Sequence, residues 1–246
     1  MNPRHARVLP VSLGVSFALL STVDLVSLAV GPDTGHTVAK PLLMPLLAAY
    51  AHLRGGPRLL VGALLFGWGG DVLLLLDAEP AFLAGMASFA AGHVCYLLLF
   101  AKLGRSGKSG ERTAPRTRAD RLTAAAYALA LLATVTLLWP GLPSGLRVPV
   151  AGYSLLLTAM AYGATRLGPL AAAGGVLFML SDTLIATGVA DRPQPPRPDL
   201  WIMLTYIAAQ YLLVRGVLGA PGARPGPPAT YRGSRTVTSG SAPAPP

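Results

Sequence analysis

Residues 59–76 read Leu-Leu-Val-Gly-Ala-Leu-Leu-Phe-Gly-Trp-Gly-Gly-Asp-Val-Leu-Leu-Leu-Leu, an apolar run interrupted by a single charge, Asp71. Arg58 precedes it and Asp77 and Glu79 follow it, in a stretch that reads as a loop. A membrane-spanning helix needs about 20 mainly apolar residues. An ionisable side chain inside such a helix is costly to bury and marks function by default. The stretch therefore bears on the fold and on the chemistry together.

The same pattern recurs along the chain. Apolar runs occupy 8–30, 40–53, 59–76, 81–102, 121–139, 148–166, 169–189 and 200–218. They predict an all-α polytopic transmembrane bundle of eight helices. The second run is short, and Thr37 and Val38 would extend it. Composition agrees, since 52% of the 246 residues are hydrophobic and 12% charged, against about 25% charged in a soluble domain. The expected organisation is a transmembrane domain over 1–220 and a disordered cytoplasmic tail over 221–246, where Pro, Gly, Ser, Thr and Arg dominate. The first run follows Arg4 and Arg7, as a signal peptide would. It is long for the apolar core of one and no A-x-A site follows it, so it reads as a retained helix.

The net charge of +10 comes mostly from arginine, 17 of the 20 basic residues. These sit in short segments between apolar runs, with no basic helix or reading module, which excludes nucleic acid as a partner. Sixteen of the 20 fall on one side of the predicted bundle, including Arg4, Arg54, Arg58 and the cluster from Lys102 to Arg121. Lys40, Arg147, Arg192 and Arg197 fall on the other. The positive-inside rule then puts both termini in the cytoplasm of a multi-pass cell-membrane protein. The lone Cys95 permits no intrachain disulfide and no cysteine-based zinc site.

A faint internal repeat runs through the chain. Leu64-Leu65-Phe66 ahead of Gly70-Asp71 is echoed by Val176-Leu177-Phe178 ahead of Ser181-Asp182, and Phe89-x3-His93 by Tyr206-x3-Gln210. Four helices separate the members of each pair, which describes two parallel four-helix repeats.

Within the spans, Asp24, Asp71, Asp182 and His93 stand out. At about 1.5 Å per residue, Asp71 and Asp182 lie roughly 18–20 Å up their helices. His93, Tyr206 and Gln210, on helices running the other way, come to a similar layer. Phe89, His93 and Tyr96 share a helix face. Two carboxyl groups in a water-poor site divide into one acid and one base. That pairing suits hydrolysis through a cationic, oxocarbenium-like state. The scarcity of histidine and cysteine in the spans argues against a metal site, and no nucleophile elbow or P-loop is present.

The polar residues together resemble the YhhN-like family of membrane proteins, which includes the lysoplasmalogenases. The resemblance rests on Lys40-Pro41-Leu42 with Met44-Pro45, Gly70-Asp71, Gly85-Met86-x2-Phe89-x3-His93-x2-Tyr96, Gly175-x2-Phe178-x2-Ser181-Asp182 and Tyr206-x3-Gln210. It implies an eight-helix bundle and hydrolysis of the vinyl ether bond of a lysoplasmalogen, giving a fatty aldehyde and glycerophosphoethanolamine or glycerophosphocholine. Under it, Asp71, Asp182 and His93 are the expected catalytic residues. Lys40, Tyr96, Ser181, Tyr206 and Gln210 are the expected substrate-binding residues, with Lys40 on the lipid phosphate. The partners are a lysophospholipid-type substrate and the bilayer, and no cofactor is required. Two other classes compete: a proton-coupled transporter using the same residues as a relay, and a structural membrane protein without chemistry.

Overall fold

The computed structural model describes residues 3–31, 33–76, 78–106 and 117–223. Its elements follow the apolar runs: α1 (Pro3–Val30), α2 (Asp33–Leu53), α3 (Arg58–Leu73), α4 (Glu79–Ser106), α5 (Arg118–Leu138), α6 (Ser144–Ala164), α7 (Pro169–Val189) and α8 (Pro198–Gly219). A 3₁₀ turn, Thr165–Leu167, joins α6 to α7. No strand occurs among the described residues. The ends have local causes. Thr117 caps α5 through a reciprocal pair with Asp120. Pro169 and Pro198 open α7 and α8 at positions where a missing N–H costs nothing.

Several helices extend beyond the apolar runs or stop short of them. The second helix begins at Asp33, seven residues before the run at Lys40, and the third stops at Leu73 rather than at residue 76. Glu79, read as loop, opens α4, while Asp77 lies outside the described residues. Among the described residues, six helices are long and apolar enough to cross a membrane: α1, α4, α5, α6 with its 3₁₀ turn, α7 and α8. The other two, the less apolar α2 and the 16-residue α3, pack against one another inside the same bundle.

Successive helices pair as hairpins, most closely α7 with α8, α3 with α4, and α1 with α2. The α4 helix also packs on α6, and α6 on α7; α5 flanks α6 at the margin. Close approach depends on glycine. A Cβ on Gly70 would lie 2.4 Å from the Phe89 ring, and one on Gly175 would lie 2.9 Å from the Ala161 backbone. The prolines of α2 are accommodated by a neighbour. Pro45 has no N–H for the Pro41 carbonyl one turn back, and the Trp68 indole of α3 donates to that carbonyl instead, at 2.9 Å.

The distribution of polarity is that of a membrane protein. Asp24, Asp71, His93 and Gln210 are buried, while Leu129, Leu137, Val148 and Leu155 are exposed. A lipid-facing surface resolves this inversion. The chain is an all-α, multi-pass membrane protein. Of the expected tail, residues 221–223 are described, and Ala223 packs into the core; residues 224–246 lie outside the described set.

Candidate active site

The buried polar side chains form two hydrogen-bonded groups that share a wall of aromatic rings. The first centres on Asp71 of α3, which is 3% exposed. The Tyr206 hydroxyl of α8 donates to Asp71 Oδ2 at 2.9 Å. Gln210 Nε2, one turn on, reaches that hydroxyl at 3.3 Å, and Gln210 Oε1 accepts from the Tyr96 hydroxyl of α4 at 2.7 Å. The chain Tyr96–Gln210–Tyr206–Asp71 thus joins α4, α8 and α3, and each member has a partner.

The second group centres on Asp182 of α7. The Tyr153 hydroxyl of α6 donates to Asp182 Oδ2. His93 Nε2 of α4 lies 3.0 Å from the Tyr153 oxygen and 4.0 Å from Asp182 Oδ2. Tyr153 has one hydrogen and gives it to Asp182, so its oxygen accepts from Nε2–H and Nδ1 is the bare ring nitrogen. That Nδ1 is buried without a hydrogen-bond partner among the described residues.

The wall between the groups consists of Phe178, Phe89 and Tyr206. The Phe178 ring stands edge-on to His93 (centroids 4.9 Å apart) and to Tyr206 (5.5 Å), and Phe89 meets Tyr206 at 6.0 Å. Asp71 lies within electrostatic reach of Lys40, Asp182 and Asp24. No ion pair of Lys40 shorter than 4.0 Å occurs among the described residues.

Asp182 differs from Asp71 in access. Its side chain is 11% exposed. It lines two small cavities: one of about 50 Å³ with Phe82, Met86, Phe89, Tyr153 and Ile185, and one of about 20 Å³ with Tyr153, Ser154, Thr158 and Met179. Either has room for a water molecule, which needs about 10–15 Å³. Beyond the larger cavity, a separate apolar cluster of Leu138, Leu142, Leu146, Val150 and Ala190 packs against Phe82 and Met86.

The residues read from the sequence are thus distributed as follows. His93 and Asp182 meet, with Tyr153 between them. Asp71, Tyr206, Gln210 and Tyr96 form the adjoining chain. Lys40 acts on that chain through its field. The Ser181 hydroxyl donates to the Ile202 carbonyl of α8 at 3.1 Å and ties two helices together. Asp24 pairs with His36 of α2 at 2.8 Å, and its second oxygen, Oδ2, is buried without a hydrogen-bond partner among the described residues.

Sequence reasoning missed Tyr153 and His36. Tyr153 carries no charge to mark it inside an apolar run. His36 stands four residues before Lys40, a spacing that shares a helix face and would have shown that the second helix begins earlier.

Residues 35–217 match the YhhN family. Among curated proteins, the chain is 33% identical over 170 residues to Lysoplasmalogenase TMEM86B of Homo sapiens, the match covering 68% of this chain and 66% of the human one. It is 32% identical over 192 residues to Lysoplasmalogenase TMEM86B of Sus scrofa, covering 74% and 76%. It is 30% identical over 218 residues to the Lysoplasmalogenase of Mycobacterium tuberculosis, covering 82% and 80%. No solved structure matches the chain.

Proposed function

The chain belongs to the YhhN family, and on that premise we propose that it is a membrane hydrolase of the lysoplasmalogenase type. It cleaves the vinyl ether bond of a lysophospholipid to release a fatty aldehyde and a glycerophospho-alcohol. The observation that carries this reading is the Asp182 carboxyl opening onto an apolar cavity, held by Tyr153, which lines the same cavity, with His93 behind Tyr153. An alkenyl chain needs apolar walls, and vinyl ether hydrolysis needs one well-placed acid.

The steps follow from that geometry. Asp182 Oδ1, the oxygen not engaged by Tyr153, carries the proton and delivers it to the alkene carbon remote from oxygen. The π electrons form the new C–H bond, leaving an oxocarbenium ion. The ionised Asp71, held by Tyr206, contributes negative potential beside that cation, an electrostatic contribution strongest where water is excluded. Water adds to the cationic carbon and gives a proton back to Asp182, which acts as acid and then as base. The hemiacetal collapses, its hydroxyl proton passing to the departing glyceryl oxygen. Aldehyde and alcohol leave, and Asp182 is again protonated. His93 and Tyr153 fix the orientation of Asp182 and offer a path for the returning proton.

Lys40 serves as a point charge for the lipid phosphate. Tyr96, Tyr206 and Gln210 position Asp71, and Ser181 holds α7 against α8. The cavity at Asp182 is far smaller than a lipid, so the side chains of Phe82, Met86 and Ile185 must part for a chain to enter. The basic residues support a cell-membrane protein with cytoplasmic termini and a tail over 221–246 on that side.

Mass-spectrometric comparison of membranes with and without the protein tests the reading. Lysoplasmalogens should fall and glycerophospho-alcohols rise when the wild type is present and not when Asp182→Asn replaces it. Unchanged lysoplasmalogen levels in membranes that accumulate folded wild-type protein would refute it.

A further inference from the structure

A second feature lies along α1, and neither Asp71, Asp182 nor His93 lines it. A groove of about 590 Å³ runs between α1, α2 and α8, within the roughly 300–1,000 Å³ usual for ligand sites. Along α1 it extends from Pro10 to Leu25, a length of roughly 22 Å at 1.5 Å per residue, against about 30 Å for a bilayer's hydrocarbon core. Its walls are apolar: Val15, Phe17, Ala18, Leu47 and Ile207 contribute.

One mouth of the groove is different. There, where α2 and α8 finish and α1 begins, Tyr50, Arg54 and Tyr211 line it. The Arg54 guanidinium stands 5.8 Å from the Tyr50 ring centroid, and Arg215 stands 5.6 Å from that of Tyr211 while donating to its hydroxyl at 2.7 Å. Arg215 is also within electrostatic reach of Tyr50. Neither arginine has a carboxylate within 4.0 Å among the described residues. Two cations without counter-charges at the end of an apolar trough complement an amphiphile with an anionic head.

We propose that this groove binds one acyl chain of an anionic phospholipid from the surrounding leaflet, its phosphate resting on Arg54 and Arg215. The lipid joins α1 to α8. The protein contact between α1 and α8 is slight, with the Phe17 and Tyr211 rings 6.3 Å apart at their centroids, so a chain lying between them adds the missing packing. A second copy of the protein suits the groove less well, because a two-fold contact through this face brings four like charges together. Arginine is the residue suited to this task, since its fork donates to two phosphate oxygens at once. The proposal does not depend on the hydrolase reading.

Thermal unfolding of the purified full chain in a neutral detergent tests it, with phosphatidylglycerol and phosphatidylcholine of identical acyl chains as probes. At about 100-fold above its Kd, phosphatidylglycerol should raise Tm by about 5–10 °C, and phosphatidylcholine by clearly less. The R54Q/R215Q double variant should lose the excess due to phosphatidylglycerol. Ala18→Trp, which fills the trough from an exposed position, should lose the stabilisation by both lipids. The Tm of each variant in detergent alone reports its folding. Equal shifts from the two lipids, an excess that survives R54Q/R215Q, or a dimer that Ala18→Trp dissociates would each overturn the proposal.

Discussion

Asp71 and Asp182 each stand thirteen residues after the first residue of their helix, Arg58 and Pro169, yet they occupy different surroundings. Asp71 is sealed: 3% exposed, lining neither of the small cavities, and tied into a chain of three further polar side chains. Asp182 opens onto two cavities and is held by one tyrosine with an imidazole behind it. Four residues before each carboxylate the helices also diverge. The position before Asp71 is Gly67, whose missing Cβ lets the Tyr206 hydroxyl and Gln210 Nε2 approach to 3.1 Å of where it would sit. The position before Asp182 is Phe178, whose ring stands between His93 and Tyr206. A bare backbone on one side admits polar groups. A large ring on the other keeps Tyr206 and Gln210 away from the second carboxyl, which, among the described residues, Tyr153 alone bonds. Two similar helices thereby give their carboxyls different surroundings, which the proposed mechanism uses as a fixed charge and an exchangeable proton.

Breaking the reactive side should have the largest effect. Asp182→Asn removes the proton donor and should lower aldehyde release by about 10²–10⁴-fold, with Tm close to wild type, as read from detergent assays on matched folded protein. Tyr153→Phe keeps the ring but removes the bond to Asp182. A hydrogen bond to a charged group is worth about 1.5–3 kcal/mol, so kcat should drop by about 10–100-fold with KM little changed. The sealed side should respond in stability as well as in activity. Tyr206→Phe leaves a buried carboxylate and Gln210 without their shared partner, a cost of about 1–3 kcal/mol. At about 2–4 °C per kcal/mol for a chain of this size, the thermal scan should show it clearly. Gly67→Ala should matter least. Its methyl crowds Tyr206 and Gln210, but alanine favours a helix by about 1 kcal/mol over glycine, and the near cancellation should leave Tm within about 3 °C.

The helices and the buried ionisable residues are legible in the sequence; the contrast between the two carboxyls is not, and the reasons are physical. Run length and the rarity of charge located the helices, because a bilayer imposes both. The same rarity singled out Asp71, Asp182 and His93, since nothing but function or pairing repays an ionisable group in a span. Tyr153 stayed hidden because a phenol is at home in an apolar helix and announces no partner. The early start of α2 was obscured because polarity there was read as loop, whereas His36 is turned inward onto Asp24. The faint repeat aligned Phe66 with Phe178, but five residues separate the first from Asp71 and four separate the second from Asp182. The helical counterpart of Phe178 is therefore Gly67, and the difference between the halves could not be seen until side chains were located.

The central claim is that Asp182, backed by Tyr153 and His93, protonates a carbon–carbon double bond next to an ether oxygen. Aldehyde release by the purified protein in detergent, from two lysolipids identical except that one carries a vinyl ether and the other a saturated alkyl ether, tests it most directly. Rapid release from the vinyl ether with none from the alkyl ether is the predicted result. Failure to cleave the vinyl ether, or equal breakdown of both lipids, would contradict it.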